Sequence, residues 1–319
     1  MELKGAMRQR SMRSEQRGVA LITVLLVFAL VAVIAAEMLH RSQLNLRSVG
    51  NLVETRQAYY YALGGEAYAR QVLAKDILDG HGNVDTLTEP WAQTREQQPF
   101  EIDNGQMQIE IDDLQARFNL NSLVNDSGTA LQAFVRLLNA LQLNPNYAYE
   151  WKDWVDRDTA RSANGAEDAE YEGYLTPGGA EADISALRLL HSMQPQDYAK
   201  LAPHVTVLPS ADSESGGSQI NINTADDAVL RALSPTLDVA QVLAKQKSGG
   251  YRDLNQLPAV SSDAATVKSS FFEVVVTVSY ANRWQRVRTV LQRISEGPNQ
   301  IEFKVISRVR SPLVDDIEL

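Results

Sequence analysis

From Val19 to Ala36 the chain runs eighteen residues with a single polar side chain, Thr23. That length and apolarity sit near the lower limit for crossing a bilayer as a helix. The residues ahead of it are basic, with Lys4, Arg8, Arg10, Arg13 and Arg17 against Glu2 and Glu15. Positive charge before an apolar span keeps that end in the cytoplasm. A secretory signal would carry a shorter apolar region followed by an Ala-x-Ala-like site, which Ala35-Ala36-Glu37 imitates poorly. The span is therefore expected to stay in the membrane, and everything after it to lie outside the cytoplasm.

The exported part has no cysteine, so no disulfide framework is available and its stability must come from a core. Its length suffices for two lobes. Residues 1–18 hold five basic and two acidic side chains, so without them the formal charge moves from −10 to −13. An acidic body argues against nucleic acid as a partner, because phosphate backbones reward basic patches.

No proline occurs before Pro90, and from Val19 to about Lys75 the chain is rich in Ala, Leu, Arg, Gln and Glu. A continuous helix over that span would be about 85 Å long at 1.5 Å per residue. Gly50 and Gly64-Gly65 are its weak points. Leu52, Ala58, Ala62, Leu63 and the run Tyr59-Tyr60-Tyr61 are expected to form its packing face, with the tyrosines as core and flank rather than a recognition surface. After a turn-rich stretch (Gly80, Gly82, Pro90, Pro99) the period changes. Met107, Ile109 and Ile111 alternate with polar residues, as in a half-buried strand. Phe271–Tyr280, Trp284–Arg293 and Ile301–Val309 read as further strands, separated by breaks at Ala281-Asn282 and at Glu296-Gly297-Pro298-Asn299. Strands at both ends with helical sequence between predict an α+β chain: one long helix on an antiparallel sheet, with a helical domain inserted into a sheet connection.

Two segments of that insertion echo each other. Phe118-Asn119-Leu120-Asn121-Ser122-Leu123 precedes Leu131–Leu141, and Ile220-Asn221-Ile222-Asn223-Thr224-Ala225 precedes Ala228–Leu233. The second Asn or the hydroxyl residue is expected to cap a helix start, and the apolar residue between the two Asn to enter the core. The second copy, with Ala240–Lys245, Gly249-Gly250 and Leu254–Leu257, is similar to a helix-hairpin-helix unit. Such units grip DNA phosphates in some proteins, but Lys245, Lys247 and Arg252 are too few against the acidic body, so a structural helical pair is expected. A polar linker, Ser210–Ser218, separates the copies.

The strongest chemical constellation runs from Glu150 to Asp183, where ten acidic residues face three basic ones. It contains Trp151-Lys152-Asp153-Trp154-Val155-Asp156-Arg157-Asp158 and Gly165-Ala166-Glu167-Asp168-Ala169-Glu170-Tyr171. Such charge needs solvation or a neutraliser, and calcium takes six to eight oxygen ligands. The histidines (His40, His81, His191 and His204) are scattered, which with the lack of cysteine disfavours zinc. An EF-hand loop counted from Asp156 finds Asp158, Asn164 and Glu167 in register, but Ala160 and Arg161 stand where it needs an oxygen ligand and a glycine. That loop type is excluded. An irregular calcium loop, a solvated acidic loop and a pair of hydrolytic carboxylates remain open.

Together these segments resemble one family. Arg17-Gly18-Val19-Ala20-Leu21-Ile22-Thr23 is similar to a prepilin leader cut after Gly18, with Thr23 five residues past the cut, where nearly every pilin-like protein has Glu. With Asn119-Leu120-Asn121, the acidic segment and Ile220–Ala225 in the same order, the chain resembles the GspK family, the large minor pseudopilins of the type II secretion system. The resemblance implies a pilin-like fold with an inserted calcium-binding α-domain. Its divisions would be a leader at 1–18, a transmembrane part at 19–36, a pilin-like helix and first strands at 37–116, an inserted helical domain at 117–268 and final strands at 269–319. It also implies a non-enzymatic protein of the bacterial inner membrane with its C-terminal domain in the periplasm. Two other minor pseudopilins, the pseudopilus shaft, prepilin peptidase and secreted proteins are the partners implied. On matching positions Asp156, Asp158, Glu167, Asp168 and Glu170 become candidate calcium ligands, Glu172 and Asp153 weaker ones, and Tyr171 a packing residue. Gly18 and Val19 become the processing site, with the new Val19 amine methylated.

Thr23 acquires a physical meaning on this view. Glu at that place pairs with the free amine of the subunit ahead, offsetting a cost of roughly 2.5–3.5 kcal/mol for an acid within the membrane. A subunit at the filament tip has no such amine, and a hydroxyl returned to the helix backbone avoids the cost. A minor pilin of a type IV pilus or competence system, which keeps that Glu and lacks the insertion, and a membrane-anchored periplasmic hydrolase are the competing expectations.

Overall fold

The computed structural model describes residues 12–124, 128–209, 218–281, 283–297 and 300–311. The start of the leader and most of the Ser210–Ser218 linker lie outside them. Helix α1 spans Met12–Asp76 without interruption, ending one residue past the expected boundary. A π turn, Ile77–His81, closes it, and Gly80 there takes φ +94°, a conformation open mainly to glycine. The helix is the one element among the described residues long and apolar enough to cross a membrane. Within its apolar part Thr23 Oγ1 donates to the Ala20 carbonyl at 2.9 Å, so the one hydroxyl of the span is satisfied locally.

The chain divides into two compact units, up to Gln57 and from Ala58 onward. In the first the described side chains of α1 are largely exposed, Leu52 among them, so this leucine does not belong to the packing face expected for it. In the second, small residues at helical spacing form that face: Ala58, Ala62, Gly65 and Ala69, followed by Leu73. Gly65 is a close approach rather than a weak point, since a Cβ there would lie 2.7 Å from Val276 Cγ1. The tyrosine run is split by its own periodicity. Tyr61 packs 5.5 Å from Tyr280 and Tyr59 lies under the Arg310 guanidinium, while Tyr60 is 64% exposed.

The sheet that receives α1 has five antiparallel strands in the order β1-β2-β7-β8-β9. They are β1 (Phe100–Ile102), β2 (Gly105–Asp113), β7 (Phe271–Tyr280), β8 (Arg283–Gly297) and β9 (Gln300–Ser311). Alternation decides their faces: Ile109, Ile111, Phe272, Val274, Val276, Val278, Val287 and Leu291 pack under the helix with Trp91. Phe271, on the other face of β7, packs with Leu114 and Leu208. Glu66 pins the helix down, accepting from both Arg308 Nε and Nη2 at 2.7 Å and from Thr289 Oγ1 at 2.8 Å, with Arg70 beside it.

Adjacent strands β2 and β7 are the two ends of the insertion. Its elements are β3 (Phe118–Asn119), α2 (Thr129–Ala140), α3 (Asn146–Val155), α4 (Pro195–Leu201), β4 (Val205–Thr206), β5 (Ile220–Asn221), α5 (Asp227–Leu233), α6 (Val239–Gln246) and β6 (Ala265–Thr266). Two short parallel pairs, β3 with β4 and β5 with β6, carry the repeated Asn segments. Leu120 and Ile222 enter the core as expected. The capping expectation is corrected. The first Asn of each copy makes the turn, Asn119 Oδ1 accepting from Asn121 N at 3.1 Å and Asn221 Oδ1 from Asn223 N at 3.0 Å. The second Asn reaches across the fold, Asn121 to the backbone of Glu181 and Asn223 to that of Tyr251. Helix α5 is capped instead by Asp226, which accepts from Val229 N.

The helical pair spends its hairpin amides internally: Gly249 N and Gly250 N donate to Gln246 and Lys245 carbonyls, and Tyr251 N to Asn223. Amides so engaged cannot cradle a phosphate. A buried knot ties the insertion to the sheet. Asp113 Oδ2 accepts from Asn221 Nδ2, Thr224 Oγ1 and Ser269 Oγ, and burial raises the Asp113 carboxyl to about 6 despite these bonds.

Candidate functional site

Helix α3 sets the acidic segment in place. Tyr147, Ala148, Trp151, Trp154 and Val155 bury one face of it, Trp151 Nε1 donating to the Leu120 carbonyl and Trp154 Nε1 to Glu181 Oε1. Asp153 falls on the buried side at 0% exposure, and Asp156 is the residue at which the chain turns extended and leaves the helix. The loop then folds back on Asp153, whose Oδ2 accepts from Ser162 N at 2.9 Å. Gly165 lies so close that a Cβ there would sit 2.0 Å from the same oxygen. That approach returns Glu167 to the end of the helix, and Tyr171 anchors the far side by packing edge-on against Trp154 at 5.2 Å.

Asp156, Asp158 and Glu167 consequently bring carboxylate oxygens within 4.8 Å of one another. Glu167 is 4% exposed, and burial, reinforced by Asp153, Asp156, Asp168 and Asp158, raises its carboxyl to about 7. Asp156 is pushed up by burial and by Asp158, with Lys152 opposing. Both Glu167 oxygens, Asp156 Oδ1 and Asp153 Oδ1 are buried without a hydrogen-bond partner among the described residues. Unpaired buried carboxylates are costly, and a cation is the natural partner for several at once. Calcium binds oxygens at 2.3–2.6 Å, so two of its ligands can lie up to about 5 Å apart. The residues present therefore fit such an ion.

Not every candidate ligand joins this cluster. Glu170 is engaged through both oxygens, Oε1 with Arg161 Nη1 at 3.1 Å and Oε2 with Glu167 N at 2.9 Å. Asp168 Oδ1 accepts from Thr176 N and Oγ1, each at 2.8 Å. These two hold the loop's shape, while Glu172 is exposed. Asp153, ranked low from sequence, sits deepest and faces the cluster electrostatically. Its signal was its place one turn before Asp156 on the buried side of an aromatic-rich helix.

Family models described as type II secretion system protein K match residues 116–210 and 220–274. Type II secretion system protein K of Pseudomonas aeruginosa is 35% identical over 314 residues, covering 90% of this chain and 91% of the relative. The Aeromonas hydrophila protein of that name is also 35% identical, covering 87% of this chain and 93% of the relative. Among solved structures, a chain of the crystal structure of the GspK-GspI-GspJ complex from the enterotoxigenic Escherichia coli type 2 secretion system superposes with a TM-score of 0.65. It is 25% identical and covers 82% of this chain and 98% of its own.

Proposed function

The chain belongs to the type II secretion system protein K family, and from that premise we propose that it acts as the minor pseudopilin at the tip of a short periplasmic pseudopilus. It forms a complex with two other minor pseudopilins, initiates assembly on the shaft and supports export across the outer membrane. The observation that carries this reading is the superposition of 82% of this chain, with a TM-score of 0.65, on a chain solved within such a three-protein complex.

The part played is structural. Prepilin peptidase cuts after Gly18 and methylates the Val19 amine. The apolar helix then holds the protein in the inner membrane with its body in the periplasm. Thr23, satisfied by Ala20, leaves no unpaired acid in lipid, which suits a subunit with nothing ahead of it. Asp156, Asp158 and Glu167 hold calcium, with Asp153 behind them. Bound calcium supplies the positive charge that lets these carboxylates stay ionised side by side. Glu170 and Asp168 keep the loop folded around them, so the surface beside α3 is presented in one shape.

Co-purification of the full chain with its two candidate partner pseudopilins, in calcium and in chelator, tests the proposal. A three-component complex in calcium is the expected result. Its absence in calcium would remove the tip assignment.

A further inference from the structure

A second group of acids lies where α1 ends, far along the chain from the acidic loop. Asp76 is the last residue of α1, and Asp85 and Glu89 follow in the loop after it. Each offers an oxygen within 4.8 Å of the others, and they are 5%, 0% and 8% exposed. An independent observation marks the group as more than acidic surface. Asp85 Oδ1 is fully buried with no hydrogen-bond partner among the described residues, although its Oδ2 takes Arg293 Nη2 at 2.6 Å and Ser269 N at 2.7 Å.

Acidic groups crowd this junction. Arg293 is committed to Asp85 and to the Ser269 carbonyl, Lys268 feels Asp85, and Arg252 lines the adjoining cleft. Against them stand Asp76, Asp85, Glu89 and the neighbouring Asp113, which is held by neutral donors. Carboxylates gathered in a buried place are expensive unless a cation sits among them. Asp76 also sits at the negative end of the helix dipole, where a cation is favoured and a carboxylate is not.

We propose that Asp76, Asp85 and Glu89 form a second calcium site that fastens the end of the long helix to the junction of sheet and insertion. The donors are all oxygen, and their spacing is within what calcium at 2.3–2.6 Å can bridge. Glu89 is aimed by Thr86 Oγ1 on Oε1 and by Trp91 Nε1 on Oε2, one bond to each oxygen, which leaves lone pairs for a metal. A cleft of about 520 Å³, lined by Gly80, Thr86, Thr88, Glu89 and Arg252, gives entry from solvent. The loop that carries Asp85 is bonded to Val267 by its amide and to Asn221 by its carbonyl. An ion here would therefore join α1, the start of β7 and the buried knot into one rigid seam.

The test uses the full chain in detergent, carrying Asp156→Asn and Glu167→Gln so that the acidic loop no longer contributes. Terbium, a luminescent calcium mimic, is titrated with excitation of tryptophan, since Trp91 bonds directly to Glu89. Saturable emission displaced by calcium is expected, together with one calcium per chain by equilibrium dialysis. Adding Glu89→Gln, which keeps the shape and the Thr86 contact, should weaken binding by roughly tenfold or more. The same protein should unfold in chelator no earlier than its parent, because a buried charge has been removed. Asp76→Asn should act in the same direction. No saturable binding in the background protein, binding indifferent to Glu89→Gln, or a lower unfolding temperature of that variant in chelator would overturn the proposal.

Discussion

Replacing Glu167 by Gln should have opposite effects with and without calcium. In calcium-free protein at pH 8, Glu167 is ionised, almost fully buried, and within 4.8 Å of oxygens from Asp156 and Asp158. Its carboxyl is raised from 4.5 to about 7. A shift of that size corresponds to about 3 kcal/mol, an upper bound because the loop can relax toward water. The sign follows from linkage: the unfolded chain releases this proton near pH 4.5 and the folded chain near 7. Stability of the calcium-free wild type therefore falls as pH rises through that window, and the full loss is present above it. Gln carries no charge, so the variant should be flatter across the window and, at pH 8 in chelator, more stable by about 1–3 kcal/mol. For a body of this size that is roughly 2–9 °C in unfolding temperature. In millimolar calcium the order should reverse, because the wild type gains binding energy that the variant has lost. Thermal unfolding of the detergent-solubilised chain at pH 5 and pH 8, with calcium or chelator, reads all four cases. A variant less stable than wild type in chelator at pH 8, or one that keeps the whole calcium shift, would refute the reasoning.

Glu66→Ala should cost about 3–5 kcal/mol by breaking a buried pair with Arg308 and orphaning Thr289, and a double-mutant cycle with Arg308→Ala should show strong coupling. Burial alone would raise the Glu66 carboxyl, but bonds from Arg308 and Thr289 hold it below 4.5, so this contribution should be present above that pH and fade as pH falls. Gly165→Ala drives a methyl group into Asp153 and should abolish calcium-dependent stabilisation while leaving the sheet's circular dichroism intact. Thr23→Glu should insert or assemble less well than wild type in a pseudopilus assembly assay; unchanged assembly would leave the residue without the mechanism given to it.

Much of the architecture was legible because its signals are local. Small and apolar residues at helical spacing mark α1, β-branched and aromatic content marks β7, and alternation marks β2, β8 and β9 within a few residues of their observed ends. The core of the candidate metal cluster was legible for a related reason: Asp156, Asp158 and Glu167 fall within twelve residues of chain, and their density of charge demands a neutraliser. What sequence could not separate was a carboxylate free to bind from one already used. Glu170 and Asp168 look identical to Glu167 until Arg161 and the Glu167 amide take both oxygens of the first and Thr176 takes Oδ1 of the second. The roles of the two Asn in each repeat were exchanged for the same reason, since their partners at Glu181 and Tyr251 lie well beyond the local segment.

By itself, then, the sequence determined which stretches become helix, strand and membrane span, because periodicity and hydropathy act through the nearest few residues. Tertiary structure decided which charges meet. Glu66 finds Arg308 from the far end of the chain, Asp85 finds Arg293, and Asp76, Asp85 and Glu89 converge only once the long helix has ended in its π turn. Electrostatic energy depends on distance through a buried, weakly polarisable interior, and those distances are set by how helix, sheet and insertion pack.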